Sequence, residues 1–182
     1  IAYEQFRLPI EPGERTFATG GPALKVSAEG NELTASSSKV NFVFDKKTGL
    51  VSSYKVGGTE YFKDGFGLQP NFWRAPNDND YGNGNPKRLQ VWKQSSKNFN
   101  VVDANIVMDG KDAVLTANYL LATGNLYIVT YRISPSGVVK ADFTFTSTDM
   151  EAAKTEASEA TLMATFTPGS DAARKAASKL EV

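Results

Sequence analysis

Asp78, Asn79 and Asp80, with Asn77 before them, set two carboxylates and two carboxamides side by side in the chain. Such a run suits three partners: the hydroxyls of a sugar, a hydrated cation, or the N–H groups of its own turn, which Asx side chains commonly satisfy. Asp78-x-Asp80-x-Gly82 begins like a calcium loop. The EF-hand pattern then fails, because Asn83 stands where the sharp turn needs glycine and Leu89 where a glutamate should close the shell. A cation site of another kind stays open. Upstream, Phe72 and Trp73 sit beside Arg74, and Pro76 fixes its own φ while biasing Ala75 away from helix. Residues 71–85 are therefore expected to form an irregular loop, fixed at its base by aromatic side chains and left mobile by Gly82 and Gly84.

The 182 residues contain no histidine and no cysteine. The commonest general base and the usual nitrogen and thiolate ligands of zinc are thus missing, and disulfides are excluded. Acid–base chemistry would fall to Asp, Glu, Lys or Tyr. The formal net charge is +0, which offers nothing to nucleic acid or an anionic membrane surface. No apolar run is long enough to span a bilayer. The chain opens at Ile1 without methionine and reads as an excised piece.

The elements that must position the loop read as β. Short alternating runs at 24–28, 32–36, 40–44 and 50–56 are broken by Gly30-Asn31, a serine cluster, and the hairpin turn Asp45-Lys46-Lys47-Thr48-Gly49. Phe42 and Phe44, then Leu50, Tyr54 and Val56, are expected to face one core. Longer strands follow at 99–108, 113–121, 126–134 and 138–146, rich in aromatic and β-branched residues, as in a sandwich. Between them, 89–93 reads as a strand or a helical turn. Trp92 could stack on a pyranose, but core packing is the commoner use of an indole, for Trp73 as well. Beyond 148 the composition changes. The spacing predicts a short helix over 149–160, a strand over 161–167 and a weakly amphipathic helix over 170–180.

Phe72-Trp73-Arg74-Ala75-Pro76-Asn77-Asp78-Asn79-Asp80-Tyr81-Gly82 resembles the F-W-R-A-P-x-D-N-D-x-G signature of the large glycoside hydrolase family 2 β-galactosidases. The hairpin 43–50 and the paired strands 126–145 resemble the same "small chain" domain. The resemblance implies an all-β supersandwich of antiparallel sheets, galactose mutarotase-like and here truncated, with residues 23–182 forming its first part. Residues 1–12 resemble the last strand of a preceding immunoglobulin-like domain, and 13–22 would be a linker. The absent histidines count against mutarotase activity in its own right.

The family's two catalytic glutamates lie on a (β/α)₈ barrel, and no glutamate here sits in a comparable motif. The resemblance thus implies a non-catalytic fragment of a retaining β-galactosidase, with the barrel and immunoglobulin-like domains and a β-galactoside as partners. Asp78, Asn79 and Asp80 would shape the galactose-pocket rim, Gly82 would be its hinge, and Trp73 and Arg74 would anchor it. No cofactor is expected in this chain, although the parent enzyme could use a divalent cation. An autonomous carbohydrate-binding sandwich and a purely bracing domain are the alternatives. The compartment is left between bacterial periplasm and cytoplasm.

Overall fold

A computed structural model of the chain describes residues 20–62, 64 and 66–146 in full, and the backbone of 162–166. The expected terminal strand at 1–12, most of the linker and the helices over 149–160 and 170–180 lie outside the described residues. Two five-stranded antiparallel sheets make up the fold. The first runs in chain order through β1 (Lys25–Glu29), β2 (Glu32–Ser36), β3 (Val40–Asp45), β4 (Leu50–Val56) and β5 (Thr59–Glu60). The second places β6 (Asn100–Asp109), β7 (Asp112–Leu120), β8 (Leu126–Ile133), β9 (Val139–Thr146) and β10 (Leu162–Phe166) in the same simple order. Within each sheet sequential neighbours pair, and the connections from β1 to β5 and from β6 to β9 are the short ones that antiparallel hairpins allow.

Alternation explains the faces. Val40, Phe42 and Phe44 of β3 are buried while the residues between them are half-covered, and β7 and β8 repeat the pattern through Leu115, Tyr119, Val129 and Ile133. Burying each such side chain contributes about 1.5–3 kcal/mol. One expectation fails in β4, where Val51 rather than Leu50 is fully buried. The β3–β4 register shifts between Val43 and Phe44, so that Val43 faces Ser53 and Phe44 faces Val51. The extra residue, Ser52, is a β-bulge that reverses the strand's parity, letting Val51 and Tyr54 share one face. A second bulge between Val101 and Asp103 turns Val102 outward on β6.

The inner faces meet in one core. The Phe42 ring lies 5.5 Å from that of Tyr131 across the sandwich. Two tyrosines also tie sheet to turn: the Tyr119 hydroxyl donates to the Gly49 carbonyl at 2.8 Å, and the Tyr54 hydroxyl donates to the Gly137 carbonyl. Burial pushes both phenols well above the usual range, with Tyr131 and Tyr127 adding to the effect at Tyr119 and Tyr61 at Tyr54. Each hydroxyl keeps its proton and remains a donor. The chain crosses between the sheets over residues 61–99, and this crossover carries α1 (Asp78–Gly82), α2 (Asn85–Arg88) and α3 (Gln90–Ser95). Run 89–93 is therefore mostly helix, not strand. Among the described residues, no helix is long and apolar enough to cross a membrane.

Candidate functional site

Residues 77–82 are not the irregular loop their composition suggested. Asn77 is extended, with φ −103° and ψ 178°, and caps α1: its side chain accepts from the Asp80 amide at 3.1 Å. The Asp80 carboxylate reaches back to the Asn77 amide at 2.9 Å, completing a capping box. Turn-forming residues thus serve here as helix-starting residues, because Asx side chains satisfy the first orphan N–H groups of a helix. Gly84, at φ +67°, then breaks the chain before Pro86 sets the first turn of α2.

Asp80 is the hub of the segment. Its Oδ2 lies 2.6 Å from Arg74 Nη1, and its Oδ1 accepts from Arg74 Nη2 at 2.9 Å and Asn85 Nδ2 at 3.3 Å. The hydrogen bonds from Arg74, followed by that from the Asn77 amide, hold the Asp80 carboxyl down to about 2. Both of its oxygens are committed. Among the described residues no group of three or more His, Cys, Asp or Glu could hold a metal. Of the two carboxylates at the start of the calcium-like run, Asp80 is spent on a guanidinium, which leaves Asp78 alone.

The base of the segment is fixed by Phe72, one of the two aromatics expected there, and not by the pair Trp73 and Arg74 that the family resemblance implied. Phe72 sets its ring edge-on to Tyr127 at 5.3 Å, and it also meets Trp92 at 6.1 Å and Phe145 at 6.5 Å. Its amide donates to Ser96 Oγ at 2.6 Å, and that hydroxyl donates to the Trp92 carbonyl at 3.0 Å. Arg74 does not reach the sheet; its guanidinium is turned back onto Asp80. Trp73 is half-buried, with its amide bonded to Asn71 Oδ1 at 2.9 Å. Trp92 packs its ring on Phe72 and Phe145. The core reading of that indole holds.

Between the segment and the helices lies a cleft of about 200 Å³, lined on one side by Phe72, Trp73, Arg74, Pro76 and Asp80. Asn85, Pro86, Leu89 and Trp92 close the other side. Of the expected site residues, Trp73, Arg74 and Asp80 therefore come together. Asp78, Asn79 and Gly82 do not line the cleft and stand exposed on α1 beside Tyr81, which is 65% exposed. Gly82 ends α1, with open space where a Cβ would stand and no left-handed φ. Glycine's freedom is used at Gly84. Asn85 and Ser96 escaped the sequence reading, as did the particular partners of Phe72. The spacing of Asn77 and Asp80 did hold a capping signal, but Asp at the third helical position is a weaker mark of it than Glu or Gln.

The family described as "Beta galactosidase small chain" matches residues 36–168. A β-galactosidase of Priestia megaterium (strain DSM 319 / IMG 1521) is 33% identical over 144 residues, covering 78% of this chain and 14% of its own length. One of Kluyveromyces lactis is 29% identical over 123 residues, covering 65% and 12%. One of Klebsiella pneumoniae (strain 342) is 33% identical over 125 residues, covering 66% and 12%. The chain thus spans only 12% to 14% of the length of these relatives.

Proposed function

The chain belongs to the β-galactosidase small-chain family, and from that premise we propose that it is a non-catalytic part of an enzyme that removes terminal β-D-galactosyl residues. Its role there is to lend the exposed side of α1 to the rim of a galactose pocket whose catalytic carboxyls stand in another domain. The relatives named β-galactosidase support the activity of the whole.

The observation that carries the reading is the state of Asp80. A glycosidase acid must hold its proton near neutral pH, so its pKa has to be raised, and its partner carboxylate stands about 5–5.5 Å away in retaining enzymes. Asp80 moves the other way. Glu60 does too: partial burial pushes it up, but the hydrogen bonds from Ser53 and from the Tyr54 and Phe62 amides outweigh that. Asp80 is built to hold a segment in shape, which is the task of a rim and not of a proton donor. Asp78 and Asn79 are left facing outward, with acceptors and donors for a sugar or a neighbouring domain.

The test is steady-state kinetics of the whole enzyme carrying Asp78→Ala and Asn79→Ala together. The rim role predicts a higher KM and a lower kcat with an unchanged melting temperature. Normal kinetics with lowered stability would replace this role by the bracing one.

A further inference from the structure

We propose that the cleft between residues 72–80 and the α2–α3 pair is a binding site for a single neutral pyranose, with Trp73 as its stacking face. The site is distinct from the outward-facing rim of α1 and does not depend on a barrel domain.

Size limits the ligand first. Sites for drug-sized molecules run to about 300–1,000 Å³, so a cleft of about 200 Å³ admits one ring. Charge limits it next. Arg74 and Asp80 both line the cleft and neutralise each other at 2.6 Å. An anion would have to take Arg74 from Asp80, and a cation would have to take Asp80 from Arg74 and the Asn77 amide. A neutral ligand disturbs neither.

The remaining polar groups are mainly donors. Arg74 spends Nη1 on the Ala75 carbonyl and Asp80, and spends one Nη2 hydrogen on Asp80. A guanidinium carries five N–H groups, so Nε–H and the second Nη2–H are unspent, and the side chain is 67% exposed. Neither the Trp73 nor the Trp92 indole N–H donates to a protein group among the described residues. Asn85 is committed at both ends, to Asp80 and to Arg88.

The apolar wall completes the match. Trp92 has ring partners in Phe72 and Phe145, whereas Trp73 has none among the described residues. Trp73 is thus the indole of the cleft lining that no other ring already stacks against among the described residues. A pyranose offers what this lining lacks: hydroxyl oxygens for unspent donors, and a flat patch of C–H groups for an indole.

The experiment is an NMR titration of the chain with methyl β-D-galactopyranoside, following the Trp73 indole and Arg74 Nε–H signals. The expected result is saturable shifts at both, with a Kd on the order of millimolar, and at least a tenfold weakening in Trp73→Ala. Should that variant lose its folded spectrum, the unaltered chain decides through NOEs between Trp73 ring protons and the sugar's C–H protons. Shifts that never saturate, absent NOEs, or saturable shifts confined to Asp78–Gly82 would each overturn the site. The rim role is judged separately, by the kinetics of the whole enzyme, so either idea can fail alone.

Discussion

The Arg74 guanidinium grips the Asp80 carboxylate with two prongs, Nη1 to Oδ2 at 2.6 Å and Nη2 to Oδ1 at 2.9 Å. A residue before Pro76 is thereby joined to one inside α1, and the chain between them is closed into a ring. Because the same carboxylate caps the helix through the Asn77 amide, one side chain sets both the path of the segment and the start of its helix. Asp80→Asn removes the charge, and Arg74→Lys removes the fork while keeping the charge. Both variants are expected to speed hydrogen exchange at the amides of Tyr81 and Asn83, which close α1 onto Asn77 and Asn79, while exchange in β7 and β8 stays slow. Unaltered protection at those two amides would show that the pair does not hold the helix.

The same contact fixes a pH dependence. The Asp80 carboxyl moves from an ordinary 3.8 to about 2 on folding. A lowered folded pKa means the unfolded chain binds the proton more tightly, so the stabilisation is fully present above pH about 4. It fades as pH falls through the interval between the two values and is gone below about 2. A ¹³C titration of the Asp80 carboxyl should show its midpoint well below that of an unstructured Asp. In Arg74→Ala the midpoint should return most of the way up. A midpoint near 3.8 in the unaltered chain would dissolve the pairing.

Strand positions were legible because alternation and turn chemistry agree: Gly30, Gly49, Gly110 and Gly137 all adopt the positive φ that their hairpins need. Parity within β4 was not, because a bulge at Ser52 is set by how Phe44 and Val51 pack across strands, which no local spacing reveals. The sequence pointed to the region of the site but misjudged its form. Asn and Asp favour turns and helix starts alike, and what separates the two is whether a downstream side chain reaches back, as Asp80 does. Phe72 was legible as an aromatic at the base of the segment, but what it packs against was not: Tyr127 and Phe145 lie more than fifty positions away and come close only in the folded sandwich.

The inter-sheet clasp between Tyr119 and Gly49 gives a stability prediction. Gly49 has φ +71°, and a Cβ there would stand 2.9 Å from Val101 Cγ2 and 3.1 Å from the Tyr119 ring. Gly49→Ala is therefore strained in its backbone and overpacked in its surroundings, at a cost of about 2–4 kcal/mol. Tyr119→Phe keeps the ring and leaves the Gly49 carbonyl without its donor, at about 1–3 kcal/mol. Chemical denaturation checks both. The double variant should cost less than the sum, because the two changes disrupt one contact. Strict additivity would mean that the hydroxyl and the turn act independently.

The last prediction separates the two glycines of the segment. Gly82 ends α1 outside the left-handed region with nothing within 4 Å of a Cβ, so Gly82→Ala should fold normally and gain up to about 1 kcal/mol of local helix stability. Gly84 holds φ +67° between α1 and α2, and Gly84→Ala should cost about 1–2 kcal/mol there. If α1 moves as a rim over a galactose pocket, stiffening its end at Gly82 changes KM and kcat of the whole enzyme together, with no loss of melting temperature. Kinetics altered only by Gly84→Ala would place the pivot at the left-handed residue between the helices. Kinetics indifferent to both would leave α1 a fixed surface, and the segment would then serve the enzyme by its shape and not by its motion.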